Sequence, residues 1–464
     1  MEFAAGQRGA QVFDVNVAAI LIVSLLVQVA LGVHIAVALG IASALGIFLV
    51  TGDIHVVTSM LGSTAYQALR DYVFAVIPLF MLMGEFIGRS GAVTDVYKGI
   101  NRGLRHIPGR LAIATVLGNA LFSFVTGVSI ASAAAFSRIS YPEMRRHGYD
   151  RGFALGTVAG SSCLGMLIPP SVLMIVWGIL TEKSIGQIFL AGVLPGIMVA
   201  ALYCLYALVV AIIRPDIVGA SPEPKPATST VGAVQVGVVE EEPETSRLQA
   251  WSSGGGIFLV VVAVLGGIWF GVFTPTEGAG AGAFIGLIMA LLKGMRLRGV
   301  IEAILSVGRT SAPILVLLVT AQLYSRTLAM TGVTNAIQDF FLGSGLGPAL
   351  ILVAMVGIWF LLGMVIDSIS IMLLTVTIFE PIAIKIGYDP IAFAIIGILA
   401  IEAGLLTPPF GLIVFTVKAA VDDENVTVWE IFKSSTPYWV IMLIGVVLLV
   451  LFPKIATWLP GLAF

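Results

Sequence analysis

Two segments combine a glycine with a proline pair: Gly165-Met166-Leu167-Ile168-Pro169-Pro170 and Gly404-Leu405-Leu406-Thr407-Pro408-Pro409. Proline lacks an amide donor and its ring clashes with the preceding helical turn. Two in a row, with a glycine four residues before the first, predict an unwound stretch inside a helix. Unwinding frees carbonyl oxygens, which are hard ligands suited to Na+. Upstream of each pair lies a run of small polar residues: Thr126-Gly127-Val128-Ser129 with Ser132, and Asp367-Ser368-Ile369-Ser370. Their hydroxyls complete a cation shell without burying full charges, and half-helix N-termini at the same depth attract a carboxylate. The Na+ candidates are therefore Thr126, Ser129, Gly165, Asp367, Ser368, Gly404 and Thr407. Ser129, Ser132, Pro169, Pro170, Pro408 and Pro409 are the candidates for substrate contact. The plainer alternative is a kink at each proline pair, with glycines and serines serving close helix packing.

These residues are embedded in a chain of 464 residues that is 58% hydrophobic and only 11% charged. A soluble domain carries about a quarter charged residues, so the bilayer must solvate much of this surface. A net charge of −2 gives no footing for nucleic acid. Cys163 and Cys204 sit in apolar runs and read as buried thiols. The four histidines have no metal-ligand spacing, and no cofactor is expected beyond a coupling ion. The first apolar run starts near Val12 without a convincing small-residue cleavage site, and reads as a first span.

A bilayer crossing needs about 20 apolar residues. Spans are expected at about 14–32, 34–52, 72–89, 152–181, 187–213, 255–273, 276–293, 310–330, 390–420 and 435–452. Two further apolar stretches, 111–140 and 348–384, are interrupted at the polar runs described above. Lys98, Arg102, Arg105 and Arg110 precede the first of them, and Arg138, Arg145, Arg146 and Arg151 follow its tip. Basic flanks belong to the cytoplasm, so this stretch enters and turns back as a re-entrant hairpin with its tip near Ser129. Irregular backbone at that depth must be buried in protein or face a water-filled cavity. Counting spans onward places Lys293, Arg296 and Arg298 inside and the loop 331–347, which has no Lys or Arg, outside. The second hairpin then enters from the periplasmic side. Residues 215–250, with Pro222, Pro224, Pro226 and Glu240-Glu241-Glu242-Pro243-Glu244, read as a disordered cytoplasmic linker.

The halves on either side of the linker repeat one another. Pro142 and Pro381, Gly148 and Gly387, Pro169 and Pro408, and Ser129 and Ser368 are all separated by 239 positions. Five expected spans separate the hairpins, and an odd number means opposite orientation. Inverted-topology repeats mark alternating-access transporters. Five charged residues fall in apolar surroundings: Glu85, Arg138, Glu277, Asp367 and Glu402. Intramembrane charges are costly and usually functional. Asp367 reads as part of a cation site, and Glu402 as either a proton site or a buried structural carboxylate. Glu277, in Thr274-Pro275-Thr276-Glu277, reads as a helix cap. Glu85 and Arg138 read as structural or interfacial.

Several segments together resemble the large membrane subunit of tripartite ATP-independent periplasmic (TRAP) transporters. In the first half they are Ile77-Pro78-Leu79-Phe80 through Gly84-Glu85, Thr126-Gly127-Val128-Ser129, Tyr141-Pro142-Glu143-Met144 to Gly148-Tyr149-Asp150, and Leu167-Ile168-Pro169-Pro170-Ser171. In the second they are Thr274-Pro275-Thr276-Glu277-Gly278-Ala279, Gly363-Met364-Val365-Ile366-Asp367, and Glu402-Ala403-Gly404-Leu405-Leu406-Thr407-Pro408-Pro409. The resemblance runs in order over nearly the whole chain. The acidic linker is longer than is usual for the family, and Ser137-Arg138 puts a basic residue where small ones are usual.

The resemblance implies an all-α polytopic elevator-type carrier of the ion-transporter superfamily type, with an inverted repeat of two re-entrant hairpins and two discontinuous helices. It implies Na+ coupling, an organic-acid substrate, a periplasmic substrate-binding protein and a small four-helix membrane subunit, in the bacterial inner membrane. With the likeness starting near the N-terminus of 464 residues, that subunit is expected to be separate. The expected division is 1–110 scaffold, 111–186 first transport half, 187–214 scaffold helix, 215–250 linker, 251–347 second scaffold half, 348–421 second transport half and 422–464 C-terminal helix. Three rivals stand beside this reading. A channel normally needs symmetry between subunits, not within one chain. An intramembrane enzyme would have to use Asp422-Asp423-Glu424-Asn425, a loop with no second acidic cluster. A stand-alone sodium/carboxylate symporter would need no binding protein.

Overall fold

The computed structural model describes residues 15–219 and 247–463, and within them every regular element is helical. The acidic run Glu240–Glu244 lies outside the described residues. The chain begins with α1 (Val15–Ala30), α2 (Ile35–Thr51), α3 (Ile54–Arg70), α4 (Val76–Arg89) and α5 (Ala92–Gly103). Helices α6 (Arg110–Thr126) and α7 (Ser129–Arg146) form a first helical hairpin. Next come α8 (Arg151–Ser162), the single turn α9 (Leu164–Leu167), α10 (Val172–Thr181) and α11 (Ile185–Ile213). The second half opens with α12 (Arg247–Val261), a π-helical turn, and the short α13 (Gly267–Trp269). It continues with α14 (Pro275–Leu292), α15 (Leu297–Met330) and α16 (Val333–Gly343). Helices α17 (Pro348–Gly363) and α18 (Ser368–Lys385) form the second hairpin. After α19 (Pro390–Gly404), α20 (Leu412–Ala420) and α21 (Val428–Leu451), two single turns end the chain.

Seven helical segments among the described residues are long and apolar enough to cross a bilayer, which makes this a multi-pass membrane protein. Their burial sorts them. In the segment Arg151–Thr181, 89% of the most apolar stretch is buried inside the protein, against 28% for Leu297–Met330. The broken segment therefore forms the centre and α15 the apolar periphery, where exposed Leu305 and Val316 present surface suited to lipid. At the centre, α8 packs on α21, α19 on α17 and α21, α10 on α18, and α20 on α7. Around it, α2 packs on α15, α4 on α14 and α5 on α12. Helix α11 lies along α6, α19 and α21.

Small residues explain the tightest of these contacts. Gly152, Gly156 and Gly160 recur at one-turn spacing on α8 and face α21. A Cβ on Gly156 would stand 2.2 Å from the Ser434 carbonyl oxygen, and one on Gly160 would stand 2.1 Å from the Tyr438 ring. The same contact is fixed by a 2.7 Å hydrogen bond between the Thr157 and Tyr438 hydroxyls. A second junction is aromatic. Trp177 of α10 meets Trp359 of α17 and Phe393 of α19, each with ring centroids 5.9 Å apart. Gly397 gives the two indoles room.

Several sequence expectations need correction. Helices α3 and α5 were not expected, because each mixes polar and apolar residues along its length and offers no long apolar run. The stretch 331–347, expected to be loop, contains α16. Helix α15 starts at Leu297, not near 310, since its first turns carry Arg298 and Glu302, which pair with each other at 3.1 Å. The first hairpin runs on to Arg146, beyond 140. The linker is shorter than 215–250: Val218 is buried, Asp150 donates its amide to Ile217 at 2.8 Å, and α12 already begins at Arg247.

Gly160→Ala is expected to lower the thermal unfolding midpoint in detergent, as overpacking of about 1–3 kcal/mol would require. Gly280→Ala, where a Cβ meets nothing within 4 Å, is the control, expected to be neutral or stabilising.

Candidate functional site

Each proline pair interrupts a helix where the sequence places it. Between α9 and α10 the chain leaves helical geometry at Ile168, and Ser171 caps α10 by accepting from the Met174 amide. Between α19 and α20 the chain is non-helical from Leu405 to Gly411. The Pro169–Pro170 and Pro408–Pro409 bonds are both cis. Each break is held by the tip of the hairpin in its own half. The Val172 amide donates to the Gly127 carbonyl at 3.1 Å, and the Phe410 amide donates to the Met364 carbonyl at 3.0 Å. Gly127 has φ +60°, and a Cβ there would stand 2.4 Å from the Pro170 carbonyl oxygen. The hairpin can approach the break this closely only with glycine at that position.

The two tips then meet at one side chain. Glu402, on the last turn of α19, is fully buried. Its Oε2 accepts from Ser129 Oγ at 2.6 Å and its Oε1 accepts from Ser368 Oγ at 2.7 Å. Ser129 and Ser368 are the first residues of α7 and α18, so two helix N-termini start beside this carboxylate. Cys163 occupies the position equivalent to Glu402 in the first half, and its thiol lies 3.8 Å from the Glu402 carbonyl oxygen.

The other candidates divide between the breaks. Gly165 packs on the first tip, where a Cβ would stand 3.0 Å from Ser129 Cα and 3.0 Å from Ser132 Oγ. Ser132 is buried, and its hydroxyl has no hydrogen-bond partner among the described residues. Thr126 Oγ1 donates to the Phe122 carbonyl of its own helix at 3.1 Å. At the second break, Gly404 lies against Gly363, and Thr407 Oγ1 donates to the Gly404 carbonyl at 2.6 Å. The Leu405 and Thr407 carbonyl oxygens converge above Gly411, 3.1 and 3.0 Å from where a Cβ would stand. The Phe432 ring stands closer still, 2.5 Å from that point, so these carbonyls lie beside an aromatic ring. Asp367 caps α18, accepting from the Ser370 amide at 3.0 Å and from its hydroxyl at 2.5 Å. It also borders a 260 Å³ cleft with His34, Pro313 and Leu317, between the second tip and the peripheral α2 and α15. Pro169 and Pro170 are buried, whereas Pro408 and Pro409 are exposed.

Reading the sequence missed the role of Glu402 as the junction. The signal available was the constant spacing: Glu402 lies 239 positions from Cys163, within the same repeat as the two serines. Of the other charges expected in apolar surroundings, Glu85 and Glu277 take structural places. Glu85 pairs with Arg89 at 2.7 Å. Glu277 closes a capping box with Thr274, accepting its amide at 2.8 Å. Arg138 is exposed on α7, on the side away from the buried Ser129, Ser132 and Phe136. Asp423 accepts from the Tyr141 hydroxyl at 3.2 Å and from the Asn425 amide at 3.0 Å, tying its loop to the first hairpin. Among the described residues no group of three or more His, Cys, Asp or Glu could hold a metal.

A family model for the DctM component of tripartite ATP-independent periplasmic transporters matches residues 22–455. The chain is 30% identical over 398 residues to the C4-dicarboxylate TRAP transporter large permease protein of Pseudomonas aeruginosa, covering 85% of this chain and 88% of that protein. It is 28% identical over 398 residues to the ectoine TRAP transporter large permease protein of Halomonas elongata, with the same coverage of 85% and 88%. It is 27% identical over 417 residues to the sialic acid TRAP transporter large permease protein of Vibrio cholerae, covering 89% and 90%. Among solved structures, the Alcanivorax borkumensis YdaH transporter superimposes with a TM-score of 0.62 over 96% of this chain and 98% of its own, at 14% identity, a likeness of fold.

Gly127→Ala is expected to destabilise the protein by about 1–3 kcal/mol, through strain at positive φ and contact with Pro170. A lower unfolding midpoint with normal membrane insertion is the outcome to look for.

Proposed function

We propose, from the premise that this chain belongs to the DctM family of tripartite ATP-independent periplasmic transporters, that it is the large permease of a Na+-coupled uptake system for an organic acid. One observation carries this reading: two hairpin tips, each hydrogen-bonded to the helix break of its own half, meet at a common buried carboxylate. Such a constellation gathers helix-break carbonyls, hydroxyls and helix N-termini in one region, and such groups suit a hard cation and an anionic substrate together. The buried hydroxyl of Ser132 beside Gly165 supports a cation position at the first break. The Leu405 and Thr407 carbonyls, which approach one point beside Gly411 and the Phe432 ring, support one at the second. The exposed Pro408–Pro409 turn supports substrate access on the second-break side.

In the proposed cycle, residues 111–186 and 348–421 move as a transport unit against a scaffold built from the peripheral helices, in an elevator motion. Their sequence repeat and the broken helices favour an inverted arrangement, with re-entrant hairpins entering from opposite sides. Relatives carry names for C4-dicarboxylate, ectoine and sialic acid transport. The substrate class proposed here is accordingly a small carboxylate. A periplasmic substrate-binding protein would deliver it, and a separate small four-helix subunit would sit beside the permease in the bacterial inner membrane. One relative, from Oleidesulfovibrio alaskensis, is named isethionate TRAP transporter permease protein DctMQ.

Ser129→Ala, Asp367→Asn and Thr407→Ala are each expected to raise the Na+ concentration for half-maximal uptake by about tenfold, the effect of losing roughly 1.4 kcal/mol of ligation. The assay is [14C]succinate uptake into vesicles holding the permease and its partners, with insertion checked by yield. Unchanged Na+ activation in all three variants would overturn the site assignment. Undiminished uptake after deleting the binding protein would instead favour a stand-alone symporter.

A further inference from the structure

The geometry points to Glu402 as a positioning residue that ties the two hairpin tips into one unit, so that the sites at the two helix breaks assemble together. The inference rests on the transport reading for its purpose, though not for its geometry. Ser129 and Ser368 occupy equivalent positions in the two repeats and lie 239 residues apart. Each begins the second helix of its hairpin and donates its hydroxyl to a different oxygen of the same carboxylate. A carboxylate supplies two acceptors in one plane, one for each hydroxyl.

Burial disfavours a charge here, and the surrounding groups offset part of that cost. Helices α7 and α18 both start at these serines, so the partial positive ends of two helices offset the burial of a negative group. The equivalent position in the first half holds Cys163. Its thiol contacts the Glu402 carbonyl oxygen, and its own carbonyl lies 3.5 Å from Ser129 Oγ. A second carboxylate in its place would bring two like charges into one dry site, which is strongly unfavourable. The repeat is thus broken in chemistry at the one position where both halves meet, and a single acidic residue serves both tips.

Two consequences follow. The Ser129 hydroxyl is already committed to Glu402, so a cation or substrate that uses Ser129 must share it with the carboxylate. A ligand that pulls one tip away also loosens the other, because both hang on the same side chain. Glu402 also sits immediately before the second break, two residues from Gly404. Displacement of either hairpin is therefore transmitted to the Leu405–Gly411 backbone.

The test is distance measurement between spin labels on the two tips, at Ile130→Cys and Val365→Cys, which are 40% and 55% exposed. The full chain is held in lipid nanodiscs, with Cys204→Ala removing the partly exposed thiol. Glu402→Ala is expected to broaden the tip-to-tip distribution by about twofold and to raise the Na+ concentration for half-maximal thermal stabilisation about tenfold. Glu402→Gln, which accepts from one serine and donates to the other, is expected to keep the narrow distribution. The paired Ser129→Ala and Ser368→Ala changes should broaden it as much as Glu402→Ala, and combining all three should add nothing further. A narrow distribution in Glu402→Ala, or in the serine pair should Glu402→Ala fail to fold, overturns the inference. So does further broadening in the triple variant. Na+ without effect on the parent protein would count against Na+ coupling alone, since the label distances are read without ions or substrate.

Discussion

A peptide group opened inside an apolar interior must find a partner, and in this protein two proline pairs open the backbone, the first of them buried. The cost of leaving such a group bare is about 1–3 kcal/mol even by protein-based measures. The partners are the hairpin tips: Gly127 takes the Val172 amide and Met364 takes the Phe410 amide. Much else follows from that need. The hairpins have to reach the breaks, so each turns at small or capping residues, with Gly127 at the first tip and Asp367 capping α18 at the second. The helices beside them must pack closely enough to exclude lipid. Gly152, Gly156 and Gly160 do this against α21, as Gly363 and Gly404 do where α17 meets α19.

The halves are alike in sequence and unlike in exposure. Pro169 and Pro170 are buried, and the first break is walled by α6, α7, α10 and α11. Pro408, Pro409 and Phe410 face outward from the second break. Two units alike in sequence, one covered and one uncovered, have the inequality that the proposed alternating access requires. In the proposed cycle the transport unit moves along contacts such as α15 with α18 and α4 with α6. The cleft beside Asp367 lies on the first of these seams, where the second tip faces Pro313, a proline inside α15.

The sequence made the breaks, the hairpins and their pairing legible because proline, glycine and hydroxyl runs are local signals and the constant spacing ties them together. Glu277 was legible for the same reason: a capping box is a four-residue pattern, and it is present as read. Three kinds of feature were not. Amphipathic helices α3 and α5 carry no long apolar run, so a search for spans passes over them. The start of α15 hides behind an Arg298–Glu302 pair that reads as loop until the two side chains are seen to satisfy each other. Glu402 carries no local signal, since a lone acidic residue in an apolar helix fits several roles. Only the packing of α19 shows that its carboxylate takes one serine from each tip. Arg138 shows the converse: it follows the buried Ser137, but its own side of α7 is open.

The proposed cycle requires hairpins that enter from opposite sides of the membrane. The most direct measurement is labelling of His147→Cys and Lys385→Cys, which flank the first and second hairpins and are both exposed, with a membrane-impermeant maleimide. The labelling is done in oriented vesicles in the Cys204→Ala background. The expected result is reaction of His147→Cys from the cytoplasmic face alone and of Lys385→Cys from the opposite face alone. Reaction of both from one face would contradict the account, because two hairpins opening to the same side cannot form an inverted pair.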